Sequence, residues 1–146
     1  MADWKGNAID DLKRYACDLI SMEILPEKIR LLEDQMQFVK GTQYDKTPVE
    51  GGSSGYEERL INYLDSKTRL KRNLKAAQER VDIIEHGLSV LSDTERLVLQ
   101  RFYINREKNS VERLKNELGY EKSEIYRIKD NALKRFTVAM CGAFYP

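Results

Sequence analysis

Two cysteines, one histidine and three prolines are all that this 146-residue chain holds of the residues that most often staple, ligate or break a fold. Cys17 and Cys141 lie far apart and no CxxC spacing occurs, so free thiols in a reducing, cytoplasmic setting are expected. Two cysteines and His86 at scattered positions do not make a zinc ligand set. No apolar run approaches the roughly 20 residues that span a bilayer. The stretch MADWKGNAIDD is acidic and has no apolar core, so no signal peptide is read there. An excess of one charge is missing as well: 25 Lys and Arg face 24 Asp and Glu, for a net +1. A bulk polycation is excluded, and any role with nucleic acid must rest on a local patch.

Catalytic spacing is missing too. His86, in IIEHGL, lies off the apolar seam and reads as a solvated helix residue. The acidic pairs Asp10–Asp11 and Glu57–Glu58 are assigned to the first turns of helices, where carboxylates favour the dipole. Residues 40–56, KGTQYDKTPVEGGSSGY, hold glycines and serines but neither the lysine nor the spacing of a P-loop. The chain is therefore not expected to be an enzyme, or to hold a cofactor or a metal.

What is present is charge and helical spacing. Charged residues make up 34% and hydrophobics 41%, a mix that suits an all-α protein with long solvated faces. Residues 1–39 form an N-terminal helical segment. Ile9, Leu12, Ala16, Leu19 and Ile20 recur at helical spacing behind Asn7 as a cap, and Trp4 is expected to pack on a helix. Pro26 interrupts the pattern, so a break near 25–26 is predicted, with Ile29, Leu32, Met36 and Val39 on a second helix. Residues 40–56 lose all periodicity and read as a flexible Gly/Pro linker. Residues 57–91 then form one long, coiled-coil-like helix of roughly 50 Å. Leu60, Tyr63, Leu70, Leu74, Ala77, Val81, Ile84, Leu88 and Leu91 fall in a heptad frame broken only at Lys67. That seam fits a homodimer through the long helix, packing on the N-terminal helices of the same chain, or both. Gly87, near its end, is expected to loosen it.

Residues 92–146 carry the sharpest pattern. SDTE at 92–95 is a capping box that starts a helix bearing Leu97, Val98, Phe102 and Ile104. Ser110 is expected to cap the next helix, which carries Val111, Leu114 and Leu118. Gly119 should take the left-handed conformation and reverse the chain. Ile125, Ile128, Ala132, Leu133 and Phe136 resume at helical spacing, which completes a helix-turn-helix arrangement. A DNA reader must bury one face of the second helix and leave the other for the groove. Lys122, Ser123, Tyr126, Arg127 and Asp130 lie off the apolar stripe. Arg127 suits bidentate bonding to guanine, and Ser123 and Tyr126 suit bases or phosphates. Lys129, Arg113, Lys115 and Lys108 complete the expected DNA-binding set. Residues 106–136 hold nine bases and six acids, whereas residues 1–56 hold seven bases and ten acids.

The run LSDTERLVLQRFYINREKNSVERLKNELGYEKSEIYRIKDNALKRF resembles region 4 of the bacterial sigma-70 family. Leu91, Glu95, Arg96, Val98 and Leu99 match its first helix, and Leu114, Leu118, Gly119, Ile125, Ile128, Ala132 and Leu133 match its helix-turn-helix. The remaining residues do not resemble sigma region 2, so a complete sigma factor is not expected. The layout as a whole is similar to phage transcriptional regulators of the ArpU/RinA type. That resemblance implies a phage or prophage late-gene activator acting on double-stranded DNA, with RNA polymerase as a further partner. Two positions depart from the pattern. Lys115 stands where a small residue usually lets the helices approach, and its stem is expected to lie along the seam. Glu121 stands where Ser or Thr often caps the second helix. A small-terminase-like DNA-packaging subunit, recognisable by a ring oligomer, and a polymerase-docking module without DNA contact are the alternative readings.

Overall fold

The computed structural model describes residues 3–44 and 53–142. Among them the fold is all-α: α1 spans Trp4–Tyr44, α2 Ser53–Ser89, α3 Asp93–Leu99, α4 Ser110–Leu118 and α5 Lys122–Cys141. Contacts divide the chain into two compact units, one joining the residues up to Leu19 with those from Glu79 onward, the other Ile20–Gln78. No described helix is long and apolar enough to cross a membrane.

The predicted break near 25–26 does not occur, because α1 runs through Pro26. A proline inside a helix costs about 3 kcal/mol through its missing donor and its ring. Here Pro26 is exposed, and the apolar stripe continues from half-buried Met22 and Leu25 to buried Ile29 and Met36. Asn7 is not the cap. Asp3 accepts the Gly6 amide on its carboxylate at 3.0 Å, and its carbonyl accepts the Asn7 amide at 2.9 Å. The helices therefore start earlier than expected, and neither Asp10–Asp11 nor Glu57–Glu58 falls in a first turn. The expected linker is shortened from both sides by helix ends at Tyr44 and Ser53, and its residues 45–52 lie outside the described residues.

In the Ile20–Gln78 unit, the interruption of the seam at Lys67 becomes an ion pair. The Lys67 ammonium lies 3.2 Å from Glu33 of α1 and donates to the Tyr63 hydroxyl at 3.3 Å. It also sits 5.5 Å from the Tyr63 ring centre. These contacts, the Tyr63 hydrogen bond first, raise its pKa.

In the other unit, Ala8 and Leu12 of α1 pack with Ile84, Leu88 and Leu91, and with Leu99, Ala132, Leu133 and Phe136. Trp4 borders this cluster. Here the heptad seam is spent within the chain. Arg80 forks onto Asp18 with two bonds of 2.9 Å, and the Tyr15 hydroxyl donates to Glu85 at 3.1 Å, a register that makes the segments antiparallel. Gly87 has a role other than the expected one. A Cβ there would lie 2.8 Å from Met140 Sδ and 3.0 Å from Phe136 Cε2, so the glycine admits α5 rather than loosening α2.

The capping box forms as expected. Ser92 Oγ accepts the Glu95 amide at 3.2 Å, and Glu95 accepts the Ser92 amide at 3.1 Å. Glu95 also pairs with Arg135 of α5. Carbonyls left over where α2 ends are taken by arginines: Leu91 by Arg96 at 3.2 Å and Val90 by Arg135 at 2.9 Å. α3 ends at Leu99, earlier than expected, in a π-helical turn, Gln100–Ile104, closed by the Asn105 amide on the Gln100 carbonyl at 2.7 Å. The wider turn sends neighbouring side chains to different cores. Tyr103 and Ile104 border the cluster above, while Phe102 borders a second one.

Two outcomes test this packing. Gly87→Ala should destabilise by about 1–3 kcal/mol, because overpacking outweighs a helix-propensity gain of about 1 kcal/mol; urea denaturation reads the sign. Tyr15 has its pKa pushed up from 10.0 to about 12, by burial first and then by the Glu85 charge and hydrogen bond. The folded state thus favours the neutral phenol. Its stabilisation is fully present below pH 10.0 and is lost as pH rises toward about 12. Denaturation across that window should show the loss in the native protein and a flatter profile in Tyr15→Phe.

Candidate nucleic-acid interface

α4 and α5 are joined by residues 119–121 and pack through one small core. Val98, Leu114, Ile125 and Ile128 are buried together, with Leu97, Phe102 and Leu118 against them. Gly119 has φ 73° and ψ 23°, the left-handed conformation expected of it, and its amide closes on the Lys115 carbonyl at 2.8 Å. Ser110 is not the cap of α4. That place belongs to Asn109, at φ 61°, while the Ser110 hydroxyl turns back to donate to the Glu107 carbonyl at 2.6 Å. Glu121 precedes α5 in extended conformation and makes no side-chain capping bond, as a glutamate there should not.

The apolar stripe of α5 is buried from Ile125 to Phe136. On its outer side Lys122, Ser123, Tyr126 and Arg127 are exposed together at the helix start. Arg127 is not free: its Nε donates to Glu124 at 2.9 Å, and a second bond joins Nη2 to the other carboxylate oxygen. The pairing holds the Glu124 carboxyl below the usual carboxylate range and raises Arg127 further.

The other expected contacts are distributed differently. Lys129 is tucked inward, with its side chain 16% exposed. Its ammonium lies 4.9 Å from the Tyr126 ring centre and 5.4 Å from that of Phe102. The two rings meet edge-on at 5.8 Å, so Lys129 supports Tyr126 from beneath. Asp130 also turns away from the outer face. Its Oδ1 is covered and lies 3.0 Å from the Lys5 ammonium of α1, without hydrogen-bond alignment. Burial first, and then the Asp130 charge, raises the nearby Tyr103 phenol. Arg113 is exposed but ion-paired with Glu107. Lys115 is half-buried, and its ammonium lies 3.7 Å from Glu112.

Lys108 borders an open cleft of about 620 Å³ shared with Arg101, Phe102, Arg106, Asn109 and Tyr126. Arg106 was not singled out from the sequence. It stands beside Lys108, and both are exposed with no ion pair among the described residues. The basic count of residues 106–136 includes it, but the polar run INREKNS around it reads equally well as a plain loop. Arg101 Nη2 donates to both carboxylate oxygens of Glu117 at 3.1 Å, so it ties the wide turn to α4. No cluster of three or more metal-ligating side chains occurs among the described residues.

Comparison with known proteins finds no matching family model, no matching curated protein and no matching solved structure.

Leu114 is fully buried at the centre of the small core. Leu114→Ala should cost about 2–5 kcal/mol. The loss should appear in urea denaturation, together with early hydrogen exchange in α4.

Proposed function

We propose that the chain is a sequence-specific DNA-binding regulator of transcription, with α5 as the reading helix. One observation carries the reading. α5 buries Ile125, Ile128, Ala132, Leu133 and Phe136 while the start of the same helix exposes Lys122, Ser123, Tyr126 and Arg127. A helix that enters a major groove needs this division between faces. Arg127 bonds guanine, Lys122 meets phosphate, and Arg106 and Lys108 flank the cleft beside Tyr126 as further phosphate ligands. The sigma-region-4 resemblance of residues 91–136 supports the narrower proposal of a phage or prophage late-gene activator.

A second reading has its own support. Glu124, Glu107 and Glu117 neutralise Arg127, Arg113 and Arg101 respectively. A face of mixed charge also suits docking on a protein such as RNA polymerase.

Selection from a random duplex library at near-physiological salt, with sequencing of the bound fraction, separates the two. Enrichment of a motif is expected. Arg127→Ala should then weaken binding to that motif by about 1–3 kcal/mol and relax one position. Lys122→Ala should weaken all duplexes alike and reduce the slope of log affinity against log salt by about 0.9. Binding that enriches nothing and vanishes as salt rises would favour the docking module.

A further inference from the structure

Glu124 stands at the exposed start of α5 and makes both of its hydrogen bonds to Arg127. The side chains of Arg127 and Glu124 are 61% and 36% exposed, so the pair lies outside the core, where ion pairs add little to stability. Glu121, just ahead of α5, and Lys122, Glu124 and Arg127 in its first turns place two acids and two bases on the outer face, Lys129 being turned inward. Such a face repels phosphate about as much as it attracts it. When Arg127 leaves Glu124 for a base, it uncovers a carboxylate that faces the polyanion. The cost disappears only where that carboxylate meets a donor.

In the major groove the amino donors are cytosine N4 and adenine N6. Adenine shows the N7 acceptor beside its amino group, which a carboxylate would face with repulsion. Cytosine offers no such acceptor at its major-groove edge, so it is the better match. Removing a repulsive element of this kind broadens a binder rather than simply weakening it.

Resting on the DNA-binding reading above, we propose that Glu124 is a specificity-determining residue. It holds the Arg127 guanidinium back from arbitrary duplex, and it releases it where Arg127 meets guanine and Glu124 accepts from the amino group of a neighbouring cytosine.

The test runs the random-duplex selection in parallel on the full chain and on its Glu124→Gln and Glu124→Ala variants. Fluorescence anisotropy then compares the selected duplex with a scrambled one. The parent should enrich a motif containing a cytosine position. Both variants should lose the preference at that position alone and bind the scrambled duplex about three- to ten-fold more tightly. A merely structural role in the first turn of α5 would lower the melting temperature and leave base preferences unchanged. The same motif with the same selected-to-scrambled ratio in both variants overturns this inference and leaves the DNA reading standing. A parent chain that enriches no motif overturns the two together.

Discussion

Phe136 is fully buried, and the space it occupies exists because Gly87 presents no side chain to it. That contact lets α5 approach α2 closely enough for Ala132, Leu133 and Phe136 to share one cluster with Ile84, Leu88 and Leu91. Fully burying one large apolar side chain is worth about 1.5–3 kcal/mol, so this half of α5 anchors the helix. Its earlier turns meet a different surface, where Ile125 and Ile128 pack on Leu114 and Val98. One continuous stripe thus serves two cores. The π-helical turn bridges them, because neighbouring Phe102 and Tyr103 border different clusters. Since α5 is held along its inner side over this length, only its start and its outer face remain open to a ligand.

Charge fastens the end of α2. Arg96 and Arg135 take carbonyls where α2 stops, and Glu95 serves both the cap of α3 and Arg135. Asp18, with its side chain 7% exposed, has its charge met by the fork of Arg80. An uncompensated carboxylate in that place would cost several kcal/mol, so the pair fixes the register of α1 against α2 in that unit. Lys5 and Asp130 link the first turn of α1 to α5 by charge alone, at a more exposed site.

The elements with a local chemical cause were readable from the sequence. SDTE specified its own capping box, Gly119 its own left-handed turn, and the stripe from Ile125 to Phe136 its own buried face. What needed the partner could not be read. Pro26 ended a helix in one dimension, but in three it sits on an exposed side where the stripe simply continues. Gly87 looked like a weak point because the residues that need its missing Cβ lie about fifty positions away. Lys67 looked like a fault in the seam until Glu33 was opposite it. At the candidate interface the sequence identified an outer face but not its internal pairing. Nothing local says that Lys129 turns beneath Tyr126 or that Asp130 is held by Lys5.

That internal pairing bears on how the proposed reader would obtain affinity. Residues 106–136 hold nine bases, yet Arg113, Lys115 and Arg127 each face a glutamate, and Lys129 is turned inward. Arg106 and Lys108 remain without an ion pair among the described residues, and Lys122 rests against the Tyr126 ring, 5.9 Å from its centre. Each phosphate neutralised adds about 0.9 to the salt slope, so three such cations give a shallow slope and modest attraction to duplex. Selectivity under the proposed function would then come from contacts to bases and from the cost of parting Arg127 from Glu124. Tight binding would require a second reading helix on the same duplex, or a protein partner that holds the first one in place.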